Sequence, residues 1–413
     1  MASTAAPRSL LSYAAARARA LEAARPLPEE LVPLAEARGR ALRRPVTAPH
    51  ALPPFRNSAM DGFAVRTRDL AGASAAHPAE LAVAETVGAG SVPSPRMPAR
   101  SAVRIMTGAL VPPQADAVVP LENAEVAGAT VRFRAAPATG ANIREAGRDL
   151  AQGDLALEPG RELSPHDLAL LAALGVARVP VGSRPRAVVL STGNELLEVT
   201  AALEPGRIRD SNATLLRALL EEGGARLERI ERLPDDPARV SAAIAAGIRD
   251  ADLVVSVGGV SVGDFDPVAR GLGDLPWIGL HRVAMRPGQH QAFGALDGRL
   301  FFGLPGNPAS VACLFEVLVR PALRKLQGFA GLDRPRLEVR VAEAIVSRAG
   351  RTDFVRVTLE RREREWWARP AGDQVSGHLM PQVRAHALLE VAEERERLAA
   401  GDAASALLLR WPE

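Results

Sequence analysis

Residues 254–267 read VVSVGGVSVGDFDP and bring together glycines, a hydroxyl and two carboxylates. Gly259-Val260-Ser261-Val262-Gly263 is a literal G-x-S-x-G, the pattern of a serine nucleophile on a sharp strand-to-helix turn. That geometry needs a helix to begin directly after the serine. Here the next start signal is Asp266-Pro267, an N-cap followed by proline at the first helical position. The spacing predicts a loop from Gly259 to Phe265 and argues against a serine hydrolase. An anion cradle fits better. Gly258, Gly259 and Gly263 let backbone N–H groups approach a ligand, and Ser261 adds a donor. The helix N-terminus behind the loop favours phosphate. Carboxylates at Asp264 and Asp266 beside such a site suggest a hard cation, typically Mg²⁺, with helix capping the alternative for Asp266.

Two other stretches repeat the design. STGNEL at 191–196 follows the apolar run RAVVL and carries Glu195, and GLPGNP at 303–308 follows RLFF and carries Asn307. Three apolar runs that each end in a glycine-rich loop with a carboxylate, hydroxyl or amide are more specific than any one of them.

Such loops need strands beneath them. From residue 184 apolar strand patterns alternate with capped helical ones (DSNATLLRALLEEGG, DDPARVSAAIAAGIRD), which predicts βαβ units and a parallel sheet. Ligands of such sheets sit at the carboxyl ends of the strands. Upstream, 55–145 shows short β-type runs between Gly/Pro turns, a small β-rich domain. Segments 8–25 and 29–43 read as helices, and Ser164-Pro165 opens another. Residues 335–413 are again β-like, a barrel or sandwich. The fold class is α/β plus β, multidomain.

The 413 residues exceed one ordinary core. Net charge is only +3 although all but one of the 51 basic residues are arginine, Lys325 being the exception. Those arginines are scattered among acids, so no nucleic-acid partner is predicted. The single cysteine, Cys313, stands in the apolar run ASVACLFEVLV and reads as a core thiol. No apolar run approaches the roughly 20 residues of a membrane span. The first residues, rich in Arg and Ala and without acids until Glu22, have a transit-peptide flavour; the preferred reading is an amphipathic helix in a cytoplasmic protein.

The ordered set STGNEL, RDSNATLL, VVSVGGVSVGDFD and GLPGNPASV, with FRNSAMDGFAVR, RIMTGALVP and NIREAGRDL upstream, resembles the molybdopterin molybdenumtransferases, the family related to the C-terminal domain of gephyrin. The resemblance runs from about Ser9 to the C-terminus. It implies a doubly wound molybdopterin-binding α/β domain over 183–330 and an inserted β-rich domain over 55–145. An elongated domain would be formed by 1–54 and 146–182, and a C-terminal β-barrel by 331–413. It further implies a homodimer with the site shared between subunits, and other cofactor-synthesis proteins as partners. The implied reaction joins molybdate to adenylylated molybdopterin, releasing AMP and forming molybdenum cofactor with a divalent cation assisting.

Carried over by motif, the catalytic positions are Asp61, Thr107, Asp149, Glu195, Asp235 and Asp266, with Glu195 and Asp266 as metal ligands. Asp61, Thr107 and Asp149 would be presented across the dimer interface. Substrate contacts fall on Asp210, Ser211, Asn212, Gly258, Gly259, Ser261, Gly263, Arg282, Arg286, Gly306, Asn307, Arg356 and Ser376. Read alone, Asp61 is a turn residue, Thr107 a strand terminator and Asp235 the N-cap of DPARVSAAI. Two departures stand out. The family's K-x-x-x-K-P-G-K-P segment is here Arg282 to His290, with arginines for two lysines and the neutral Gln289 for a third base. Its A-N-G-L stretch is here Arg384-Ala385-His386-Ala387-Leu388. The retained acids favour an active enzyme, whereas Gln289 favours a weakened paralogue serving as a molybdopterin-binding chaperone or scaffold.

Overall fold

The computed structural model describes residues 10–259 and 275–412. The chain forms two compact units, one of 45–158 with 170–176, the other of residues up to 44, 159–169 and 177 onward.

The first unit is built on strands β1 (Gly62–Val65), β2 (Ala79–Val87), β3 (Ser101–Ile105), β4 (Ala117–Pro120), β5 (Ala124–Ala127) and β6 (Thr130–Phe133). They run in the order β4-β1-β3-β2-β6-β5, antiparallel except between β2 and β3. Alternation buries Phe63, Leu81, Val131 and Phe133 on one face, where Phe63 and Phe133 meet edge-to-face at 6.0 Å. A fully buried side chain of this size contributes about 1.5–3 kcal/mol. This face therefore anchors the turns at the strand ends, including the one that holds Asp61.

In the second unit, helix α1 (Tyr13–Ala23) follows a short strand, Leu10–Ser12, and Ser12 caps it by accepting from the Ala15 N–H at 3.1 Å. The helix expected over 29–43 is not formed. Glu29–Pro33 is a strand paired antiparallel with Arg178–Gly182, followed by a 3₁₀ turn at Leu34–Glu36. Tertiary pairing overrides the helical composition there, and the buried Arg40 locks the pairing by donating to the Gly182 carbonyl at 2.7 Å.

The α/β sheet contains β7 (Arg186–Thr192), β8 (Arg226–Leu233), β9 (Leu253–Val257), β10 (Ile278–Arg286), β11 (His290–Leu296) and β12 (Arg299–Leu304). Its order is β8-β7-β9-β12-β11-β10, the first four parallel and the last two antiparallel. Helices α2 (Ser211–Glu222), α3 (Pro237–Asp250), α4 (Pro308–Leu314) and α5 (Arg320–Gln327) complete it. The strands are buried on both faces. Val188, Leu190, Val254 and Phe301 pack with Val240, Ile244 and Ile248 of α3. The alternate residues Val189, Val255 and Phe302 share a core with Leu216 and Leu220 of α2 and Leu323 and Leu326 of α5. Continuous apolar runs are what a doubly covered parallel sheet requires.

Strands β13 (Arg336–Val341), β14 (Thr352–Arg362), β15 (Glu365–Pro370), β16 (Ala387–Val391) and β17 (Ala403–Leu408) close into a barrel. The order is β14-β15-β13-β17-β16, with β16 returning to β14. Val339, Val357, Leu359, Leu389 and Leu408 belong to its core. Strand β14 also pairs in parallel with β10, Met285 opposite Thr352 and Arg286 opposite Asp353. Just before that point on β10, Leu10–Ser12 pairs in parallel with Arg282–Ala284.

Candidate active site

Strand β7 leads first to β8 on one side and then, through α3, to β9 on the other. Strand order thus reverses between β7 and β9, and the crevice at their carboxyl ends is the default ligand site of an open α/β sheet. A cleft of about 760 Å³ opens there, lined by Glu195 and Gly259 from the loops after β7 and β9 and by Gly306, Asn307 and Ser310 after β12. Arg286, Gln289 and His290 line it from β10 and β11, and Arg351, Gln374 and Ser376 from the barrel.

The loop after β7 is held by its backbone. Gly193 adopts φ +152°, and a Cβ there would fall 2.5–2.8 Å from the carboxylate atoms of Glu195. At this φ a side chain is disfavoured, and a Cβ would displace the Glu195 carboxylate from its place over the turn. The Glu195 carbonyl accepts from Ile208 N–H at 2.8 Å. On the other side, Asp235 Oδ2 accepts from Asn194 N–H at 3.1 Å, and Asp235 N–H donates to Asn194 Oδ1 at 3.2 Å. The N-cap of α3 is Asp236, which accepts from Arg239 N–H at 3.1 Å, so the cap expected at Asp235 lies one residue further on.

The loop after β9 approaches β7 closely. A Cβ on Gly258 would fall 2.4 Å from the Thr192 carbonyl oxygen, and its N–H donates to Leu304 O at 3.0 Å. The loop after β12 is anchored by Asn212, whose Nδ2 donates to Gly306 O at 2.7 Å. Asp210 is buried and caps α2, accepting from Ala213 N–H at 3.0 Å, and Ser211 is the exposed first residue of that helix. Asp210 and Asn212 thus hold the helix and the loop, and none of the three lines the cleft. Much of the first turn of α4 is already satisfied internally: Ala309 N–H donates to Ser376 O, and Ser310 and Val311 N–H to Asn307 O.

The cationic side of the cleft comes from two elements. Arg286 ends β10, and Arg351 is oriented by the buried Asp353 through an ion pair of 2.8 Å. Arg282, on the same strand, is exposed and lies outside the lining. The buried guanidinium of Arg356 faces a smaller adjoining pocket of about 190 Å³ and donates to the carbonyls of Asp373, Val375 and His378 at 3.2–3.3 Å. Its pKa is drawn down by burial. It fixes the segment that carries Ser376. Gln289 faces the cleft, whereas His386 sits in the barrel ladder with Nδ1 accepting from Leu359 N–H at 3.0 Å.

In the other unit Asp61 Oδ1 accepts from both the N–H and the hydroxyl of Thr107, and Asp149 is exposed in the same unit. Ser261, Gly263 and Asp266 lie outside the described residues. Arg351, Ser310 and Gln374 are cleft residues that the sequence reading misses; the glycine-arginine pair before DFVR and the serine within PASV are the signals that could have found two of them. Among the described residues no group of three His, Cys, Asp or Glu is placed to hold a metal.

Comparison with known proteins agrees with this architecture. Residues 11–175 match the family description "MoeA N-terminal region (domain I and II)", 188–325 "Probable molybdopterin binding domain", and 338–409 "MoeA C-terminal region (domain IV)". Molybdopterin molybdenumtransferase 2 of Mycobacterium tuberculosis is 37% identical over 362 residues, covering 86% of this chain and 89% of that one. The chain belongs to the molybdopterin molybdenumtransferase family. Members from Haemophilus influenzae (37% over 360 residues, 86% of this chain and 88% of that one) and Bacillus subtilis (34% over 385, 89% and 88%) are similarly close. The solved molybdopterin biosynthesis moeA protein of Pyrococcus horikoshii OT3 superposes with a TM-score of 0.84 at 28% identity, covering 97% of this chain and all of that one. The family fold is therefore present, barrel included.

Proposed function

We propose that this chain is an active molybdopterin molybdenumtransferase that joins molybdate to adenylylated molybdopterin, releasing AMP in molybdenum cofactor biosynthesis. One observation carries the proposal: the cleft at the switch point combines the Glu195 carboxylate with two arginines, Arg286 and Arg351, and the polar groups of Asn307, Ser310 and Ser376. Guanidinium pairs suit both substrates, because one carries a pyrophosphate and the other is an oxyanion. Gly259 and Gly306 line the cleft and put no side chain between their backbone and a phosphate. Arg356 holds Ser376 in place, and Gly193 aims Glu195.

A Mg²⁺ ion fits this donor set, since it takes one or two carboxylates and otherwise water and phosphate oxygens. Glu195 supplies one carboxylate here, and Asp266 is the second by sequence. When bound, the ion would neutralise phosphate charge as the anhydride is cleaved. The reading extends to a cytoplasmic homodimer in which Asp61, Thr107 and Asp149 serve the partner's cleft, and to contact with other cofactor-synthesis proteins. It also keeps the fourfold division at 1–54 with 146–182, 55–145, 183–330 and 331–413.

The test is AMP release by the purified protein given adenylylated molybdopterin, molybdate and Mg²⁺. Molybdate-dependent release is expected, and E195Q should reduce it on the order of 10²-fold. Release no faster than background would overturn the proposal.

A further inference from the structure

We propose that Asp235 is a positioning residue: it clasps the loop that presents Glu195 and acts through that contact. The inference rests on the function proposed above.

Four observations carry it. Strands β7 and β8 end in register, Thr192 opposite Leu233, so Asn194 and Asp235 stand two residues past the end of each ladder. The ladder continues weakly through Gly193 N–H to Leu233 O at 3.3 Å and then passes to side chains. Asp235 and Asn194 exchange two hydrogen bonds, in each of which one residue's backbone N–H meets the other's side-chain oxygen. Asp235 does not line the cleft, whereas Glu195, the next residue after Asn194, does.

The chemistry follows from the bond types. Asp235 accepts one N–H through one carboxylate oxygen, a task an amide oxygen performs equally well. The opposite face of the loop is fixed by Ile208 N–H to Glu195 O, and the Glu195 carboxylate lies in the space that Gly193 leaves free. The residues after Glu195 are held by pairing of Leu196–Leu197 with Ile208–Arg209, so the clasp restrains the loop on the side that precedes Glu195. Both partners are exposed, so the clasp adds little to global stability and its loss is felt locally.

The experiment compares D235A, D235N and N194A with the wild type by two measurements: molybdate-dependent AMP release, and amide hydrogen exchange of the peptide spanning 193–197. D235A should lower kcat on the order of tenfold to a hundredfold and speed exchange of that peptide. D235N should leave exchange unchanged and recover part of the kcat that D235A loses, because the acceptor survives. N194A, which leaves Asp235 intact, should move both readouts in the direction of D235A. The inference is overturned if D235N is as impaired as D235A, if N194A is silent, or if exchange ignores D235A. Should the wild type release no AMP, the proposed function fails, and the exchange of the three variants still decides whether the clasp exists.

Discussion

Asp61 Oδ1 accepts two hydrogen bonds from one residue, the backbone N–H and the hydroxyl of Thr107, each at 2.6 Å. The hydroxyl and then the N–H hold the Asp61 carboxyl below its ordinary pKa, with a smaller contribution from Arg104. Both donors favour the ionised form, so Thr107 is more than a strand terminator.

Replacing the hydroxyl should undo part of this, since the Thr107 N–H remains. T107A is expected to raise the Asp61 pKa toward the ordinary aspartate value of about 3.9, and T107S to leave it depressed. A carboxyl-detected NMR titration measures both. The sign is that of a depressed acid: the favourable contribution is present above the unfolded-state pKa and is lost as pH falls through the lower, folded one. At neutral pH the carboxylate is ionised in either variant, and any activity difference there reports position, not charge.

Arg356 offers a second test. Its guanidinium donates to three backbone carbonyls and to Gln374 Oε1 within the segment that carries Ser376. R356A should destabilise the protein by about 2–4 kcal/mol in urea denaturation, because the carbonyls lose charge-assisted donors. R356K should recover only part, since one ammonium cannot reproduce the planar fork. The molybdate KM should rise in both.

Gln289 lines the cleft beside Arg286. A second cation about 4 Å from an oxyanion in water gains about 1 kcal/mol. Q289R is therefore expected to lower the molybdate KM about fivefold at low ionic strength, with the gain shrinking as salt is added. A KM that stays the same at every salt concentration would mean that this position does not see the anion.

The α/β sheet was legible because a doubly covered parallel strand writes itself as an unbroken apolar run, and RAVVL, LVVSV and RLFF each end at a glycine-rich loop. Glu195 and Asn307 followed from those loops. What stayed hidden depended on partners remote in sequence. Nothing in EELVP announces Arg178–Gly182 as its mate. Arg351 enters the cleft only because β14 pairs with the end of β10, a two-residue contact without a local pattern. The adjacent aspartates at 235 and 236 are a different case. Proline at the first helical position fixes the cap at the preceding residue, Asp236, which leaves Asp235 for the neighbouring loop. His386 departs from the family stretch yet serves a barrel amide, a role read only from the closed ladder.

Strand β10 has its outer margin covered in relay, Leu10–Ser12 against Arg282–Ala284 and then Thr352–Asp353 against Met285–Arg286. These partners come from opposite ends of the sequence. The same Asp353 also pairs with Val391, so the seam that closes the barrel and the margin of the cleft share backbone. Contacts this distant along the chain pay their loop-closure entropy late. A ribosome that has released only the α/β segment has therefore produced a sheet whose last strand still offers unpaired amides, and the arginine at its tip gains its permanent neighbour only when the barrel has been synthesised.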